Sequence, residues 1–157
     1  MVSEIVDDVV AKDFEEFFAD RFVSLSRLAF LLTGSASAAD EIAQDALEGV
    51  SRLWATIEQP RAYARVAVVN GARSWIRHRQ VAERSRADVA PPNELDADAI
   101  AVRRVLAALP EREREVVVLR YYADLKVDDI AAELDLPVGT VKSLLHRTLA
   151  KLNKELS

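Results

Sequence analysis

The sequence contains no cysteine and only two histidines. Disulfides, thiolate metal sites and cysteine nucleophiles are thereby excluded, and a histidine-built metal cage has too few ligands. No apolar run reaches the length of a membrane span, so membrane insertion is not expected. The opening "MVSEIVDDVV" is acidic where a secretion signal would be basic, which predicts a cytoplasmic chain. No glycine-rich phosphate loop and no nucleophile–base pair stands out. Neither enzymatic activity nor a cofactor or metal is therefore expected.

Four glycines and five prolines in 157 residues leave few points at which a helix must stop. Half the residues are apolar and 30% are charged, the balance of a chain that folds around a core. Abundant alanine, leucine, arginine and glutamate favour helix, and no alternating strand pattern is evident. The length suits one ordinary domain or two small ones.

The net charge of −5 argues on its own against a nucleic-acid partner, but the charges are segregated. Asp13 to Glu58 holds nine acids and three arginines, and Pro60 to Arg86 holds seven arginines and one acid. Ala87 to Ile100 has four acids and no base, whereas residues 139–157 carry Lys142, Arg147, Lys151 and Lys154 against Glu155. Blocks of this kind predict separate faces for separate partners.

Periodicity predicts a helix over Phe14–Leu32 with Phe14, Phe17, Phe18, Val23, Leu25, Leu28, Leu31 and Leu32 as its apolar positions. "TGSAS" should end it, with Gly34 in a left-handed cap and Ser35 or Ser37 capping the next helix. That helix is expected to run to about Ile57, with Ile42, Ala46, Leu47, Val50, Leu53 and Trp54 inward. A third follows "EQP" to about Gln80. The stretch "ERSRADVAPPNELDADA" lacks apolar period and reads as a linker. Helices are then expected at Ile100–Leu109, across "EREREVVVLRYYAD", and as a pair within "VDDIAAELDLPVGTVKSLLHRTLAKL". The predicted fold is all-α: two small helical domains joined by a flexible linker, with a tail over 1–12, domains over 13–80 and 98–157, and a linker over 81–97.

In the final pair, Ile130, Ala131 and Leu134 form one inner stripe, and Val141, Leu144, Leu145, Thr148, Leu149 and Leu152 form the other. A turn of about four residues separates them, the pattern of a helix-turn-helix. Thr140, Lys142, Ser143, His146 and Arg147 then project from the second helix, where base edges and phosphates would meet it. The plainer alternative is a helical hairpin with a solvated basic face.

A helical wheel of Arg61–Gln80 puts Ala64, Val68, Val69, Ala72, Trp75 and Ile76 on one side. Tyr63, Asn70, Arg73, Ser74 and Arg77 lie opposite, with Arg79 near the boundary. Aromatic, amide and guanidinium groups on one strip suit phosphate contact and stacking on unpaired bases. The preceding helix instead exposes Asp40, Glu41, Gln44, Asp45 and Glu48, which would repel DNA and suit a basic or amide-rich protein partner; the plainer alternative, which the helix by itself favours, is one kept soluble by acids near its N-terminus.

Taken in order, these parts resemble the extracytoplasmic-function (ECF) sigma factors of the sigma-70 family, over about Asp13 to Leu152. "LSRLAFLLTGSASAADEIAQDAL" resembles the family's regions 2.1 to 2.2 and "PRAYARVAVVNGARSWIRHR" its regions 2.3 to 2.4. "LPEREREVVVLRYYADLKVDDIAAELDLPVGTVKSLLHRTLAKL" resembles region 4 and is the most specific match. The resemblance implies a region 2 helical bundle and a region 4 helix-turn-helix. It also implies a subunit that binds core RNA polymerase and directs it to promoter DNA, commonly under an anti-sigma factor. Glu41, Gln44, Asp45 and Glu48 then match the polymerase-binding positions. Trp54 to Arg61 matches the loop for a flipped minus-10 base, and Tyr63, Asn70, Arg73 and Arg77 fall on the helix beside the opening duplex. Thr140, Lys142, Ser143, His146 and Arg147 fall on the minus-35 reading helix.

Three positions depart from the family pattern. Leu144 stands where many members carry arginine, which predicts a missing DNA contact. Asp135 replaces a frequent turn glycine, and Val127 replaces a capping serine or threonine. The competing expectation is a helix-turn-helix regulator acting without core polymerase, which would leave the Arg61–Arg79 strip without a role. A purely protein-binding adaptor would leave both basic faces without one.

Overall fold

The structure, a computed structural model, describes residues 2–82 and 97–156. Among these residues it consists of seven helices and no strand. They are α1 (Val2–Thr33), α2 (Ala36–Arg52), α3 (Pro60–Ala82), α4 (Ala97–Ala107), α5 (Glu111–Tyr121), α6 (Val127–Leu134) and α7 (Val138–Leu156). The expected linker falls on residues outside the described ones, apart from its edges: 81 and 82 end α3, and 97 starts α4.

Helices α1, α2 and α3 pack on one another around Leu25, Leu28, Leu32, Ile42, Leu47, Val50, Ala64 and Val68. Alanines 38, 39, 43 and 46 line the inner face of α2 and let its neighbours come close. Gly34 takes φ +79°, the left-handed value for which glycine has no steric penalty, and its N–H bonds the Phe30 carbonyl. Ser35 is the cap of α2, its hydroxyl accepting from the Ala38 N–H at 3.2 Å.

Helix α1 begins at Val2, so the expected tail over 1–12 continues the helix. The reason is legible afterwards: the first glycine is Gly34 and the first proline Pro60, so nothing interrupts the run. Val23 is exposed rather than inward. Helix α2 also stops earlier than the periodicity suggests, at Arg52 rather than near Ile57. The chain tightens there: Leu53 and Trp54 donate to the carbonyls of Val50 and Ser51, three residues back. Leu53 turns outward, 42% exposed, while Trp54 is held half-buried by Phe14 and Phe17 at ring distances of 5.6 and 5.2 Å.

Helices α5, α6 and α7 enclose a second cluster of Val116, Leu119, Ile130, Leu134, Val141 and Leu145. Leu144 belongs to it, only 7% exposed, so its side chain is spent on the core. Position 144 lies on the same inner stripe as Val141 and Thr148, so the fold has no place there for a basic side chain. Asp135 ends α6 at φ 54°, ψ 50°, so that site does require the left-handed conformation. Val127 is the first helical residue of α6; the cap is Lys126, whose side chain makes no capping bond.

The two clusters touch. Helix α1 packs on α4 and α5, and α3 packs on α6. Arg114 of α5 ties together the ends of α1 and α4, donating to the carbonyls of Leu32, Leu106 and Leu109 at 2.9–3.1 Å. Carbonyls at and just past helix C-termini have acceptor capacity to spare, and a guanidinium with five donors is suited to collect them.

Candidate polymerase and nucleic-acid faces

The exposed side of α2 carries Asp40, Glu41, Gln44, Asp45 and Glu48. Because α2 buries an alanine-rich stripe, its polar residues are forced onto one outward face at i, i+4 and i+3 spacings. Glu41 and Asp45 also form one wall of a groove of about 410 Å³ between α2 and α3. Ile42 and Trp75 supply its apolar lining, and Ser74 and His78 lie along the α3 side. Gly71 sets the helix separation there, since a Cβ at that position would meet Ile42 at 3.0 Å.

Along α3, Arg61, Tyr63, Asn70 and Arg77 are exposed, as the periodicity predicts. Trp75 carries the Arg79 guanidinium over its ring at 4.9 Å. Arg73, expected on the same open strip, is instead half-buried and bidentate to Glu115 of α5, with Nη2 to Oε1 at 2.7 Å. The bond to Glu115 raises the Arg73 pKa, with burial working the other way. Eight residues earlier, Arg65 makes a second bidentate pair, with Glu133 of α6, at 2.8–3.3 Å. Arg65, Glu115 and Glu133 form contacts that sequence reasoning did not single out. Glu115 and Glu133 sit beside apolar runs in sequence, "EVVVL" and "IAAEL"; Arg112 of α5 lies 3.4 Å from Glu115, and the approach of α3 supplies the bidentate partners.

On α7, Thr140, Lys142, Ser143, His146 and Arg147 are all exposed and share one side of the helix. Gly139 has open space where a Cβ would stand, so the backbone at the start of α7 is accessible. Arg147 Nε lies 3.0 Å from Oε1 of Glu113, and Lys151 Nζ lies 2.8 Å from Oε2 of the same carboxylate. Glu113 is 4% exposed, so it is a fixed anchor that orients two cations toward solvent. Sequence inspection sees Glu113 only as one acid in "EREREV". The candidate faces therefore fall on three helices: acidic on α2, arginine-rich on α3, mixed basic on α7. Among the described residues no cluster of acids and histidines could hold a metal ion, and no helix is long and apolar enough to cross a membrane.

Comparison with known proteins gives the family to which this architecture belongs. The family description "Sigma-70, region 4" matches residues 99–152, which span α4 to α7 apart from their outermost turns. The chain is 35% identical to the RNA polymerase sigma-E factor of Streptomyces coelicolor, over 92% of this chain and 86% of that protein. It is 34% identical to the RNA polymerase sigma-E factor of Streptomyces avermitilis, over 92% and 85%. The fold is similar to that of the sigma factor RpoE in its complex with the anti-sigma factor NepR from Bartonella quintana. That match has a TM-score of 0.76 at 22% identity and covers 92% of this chain and 97% of that one. CnrH, solved with the cytosolic domain of CnrY, gives 0.73 at 23% identity, covering 93% and 88%. A two-domain, all-helical chain with a helix-turn-helix at its end is thus the architecture of a transcription-initiation factor. The chain belongs to the extracytoplasmic-function sigma factors of RNA polymerase.

Proposed function

We propose that this chain binds bacterial core RNA polymerase through the acidic face of α2 and directs it to promoters through α3 and α7. Glu41, Gln44, Asp45 and Glu48 would engage a basic polymerase surface. Trp54, Arg61, Tyr63, Asn70, Arg73 and Arg77 would take the minus-10 element, and Thr140, Lys142, Ser143, His146 and Arg147 the minus-35 element. The observation that carries the reading is the separation of one acidic and two basic faces across a single family architecture.

Opening a promoter needs no catalytic group. Unstacking a base costs a few kcal/mol, which binding the extruded base offsets. The arginine contacts are to phosphate, so affinity should fall steeply with salt. A chain that works on RNA polymerase acts in the cytoplasm, and family membership leads us to expect an anti-sigma protein as its inhibitor. Reconstitution with bacterial core polymerase and a pool of promoter fragments tests the reading: selective initiation is expected, and failure to bind core overturns it.

A further inference from the structure

Helix α7 carries its exposed polar side chains in two rows. Thr140, Arg147 and Lys151 follow one another at i, i+7 and i+11, while Lys142 and His146 stand at i and i+4, about 140° around the helix. The Arg147–Lys151 end of the first row lies against α5, where Glu113 receives it. Glu113 is buried in the first turn of α5, where the helix dipole favours a negative charge. Lys151 Nζ donates to both of its oxygens, at 2.8 and 3.0 Å, so the lysine alone keeps the buried carboxylate paired. Arg147 approaches through one nitrogen, Nε, 3.0 Å from Oε1. Its side chain is 59% exposed, and its two Nη groups have no hydrogen-bond partner among the described residues. Two cations on one carboxylate leave a surplus of positive charge at this edge of α7.

We propose that Glu113 is a positioning residue for the minus-35 contact: by holding Arg147 at Nε on the α5 flank of α7, it commits the Nη fork to the DNA backbone and leaves sequence reading to the rest of the exposed face. The inference rests on the reading of α7 as the minus-35 helix. A recognition helix in a major groove turns its middle to base edges and its flanks to the phosphate walls. Arg147 stands on such a flank. Its two Nη groups, fixed in one plane, match two oxygens of a phosphate. An untethered arginine gives up its rotamer freedom when it binds, whereas this one has given it up on folding. The carboxylate is not stranded by the contact, because Lys151 stays on it.

The sign of one substitution separates positioning from plain charge. Glu113→Gln removes a negative charge from the DNA-binding domain, so charge alone would tighten the complex. Loss of positioning weakens it. The full chain is assembled with core polymerase, and affinity is measured for a labelled minus-35 duplex selected from the promoter pool. Single-base variants of that duplex and a salt series complete the set. Arg147→Ala should weaken every duplex by a similar factor and lower the slope of log K against log salt by about 1. Glu113→Gln should weaken binding by roughly three- to tenfold, and should add nothing in the Arg147→Ala background. Arg147→Lys keeps the charge but has one nitrogen to give to either partner, so it should bind no better than Glu113→Gln. Tighter or unchanged binding by a folded Glu113→Gln overturns the proposal, as does an equal cost in the Arg147→Ala background. A changed base preference in Arg147→Ala also overturns it, since the arginine would then be reading bases. If Glu113→Gln does not fold, Arg147→Lys decides, and parental affinity in that variant overturns the proposal. If neither Arg147→Ala nor Lys142→Ala weakens any duplex while core still binds, the assignment of α7 to the minus-35 element is what fails.

Discussion

At the scale of single residues, three side chains carry consequences for stability. Leu144 is core, so Leu144→Ala should cost about 2–5 kcal/mol. Leu144→Arg should unfold the C-terminal domain rather than add a DNA contact. Urea denaturation of both variants checks this, and a folded arginine variant with tighter DNA binding would contradict it. Asp135 sits at φ 54°, where a Cβ is a penalty, so Asp135→Gly should raise stability by about 0.5 kcal/mol. Arg103 is the third. Its Nε and Nη1 are buried without a hydrogen bond, and burial, reinforced by Arg114 and Arg79, pushes its pKa down to about 10. Below pH 10 the fold therefore carries the cost of a poorly solvated charge; above about pH 10, and until the unfolded arginine also loses its proton, the unfolded chain binds more protons, so stability at this site rises with pH. Arg103→Met should be the more stable protein at pH 7, with an advantage that shrinks above pH 10. Urea midpoints for the two proteins at pH 7, 9 and 11 give the comparison.

At the scale of elements, α7 joins an apolar stripe to a polar face, and Glu113 ties the two together. The buried carboxylate holds Arg147 and Lys151, one turn apart on α7, against α5. Arg147→Ala should weaken binding to a minus-35 fragment by about 1–3 kcal/mol while leaving core-polymerase affinity unchanged. Equal loss in both assays would mean that the faces are not divided as proposed. On α3, Arg77→Ala should weaken DNA binding across sequences and lower the slope of log K against log salt by about 1. Its exposure and its lack of a carboxylate partner across the domain seam make it the cleaner probe than Arg73.

At the scale of the molecule, the seam between domains joins apolar packing of α1 on α4 and α5 to polar contacts: two bidentate pairs, Arg114 on helix-end carbonyls, and one tyrosine hydroxyl. Domain separation is what a two-site promoter reader needs, because α3 and α7 must each face their own stretch of DNA. Raising salt should open the free chain while weakening its hold on DNA, since both the seam and the complex rest on guanidinium contacts. Small-angle scattering of the free chain across a salt series should show the radius of gyration increasing.

Local pattern was sufficient for much of this protein. The helices, the Gly34 and Ser35 caps, the inner stripes of α6 and α7 and the exposed sets on α2 and α7 all follow from periodicity and turn chemistry, which depend only on neighbours in sequence. Boundaries were less visible: α2 ends where Trp54 finds Phe14 and Phe17, which packing decides, and α1 starts twelve residues before the expected Phe14. The fate of Arg73 could not be read locally at all. A wheel assigns it to the open strip, but its partner lies 42 residues away on a helix that reaches it only when the domains close. Contacts that depend on the path of the whole chain leave no periodic trace, and those contacts decide which arginines the folded molecule has available.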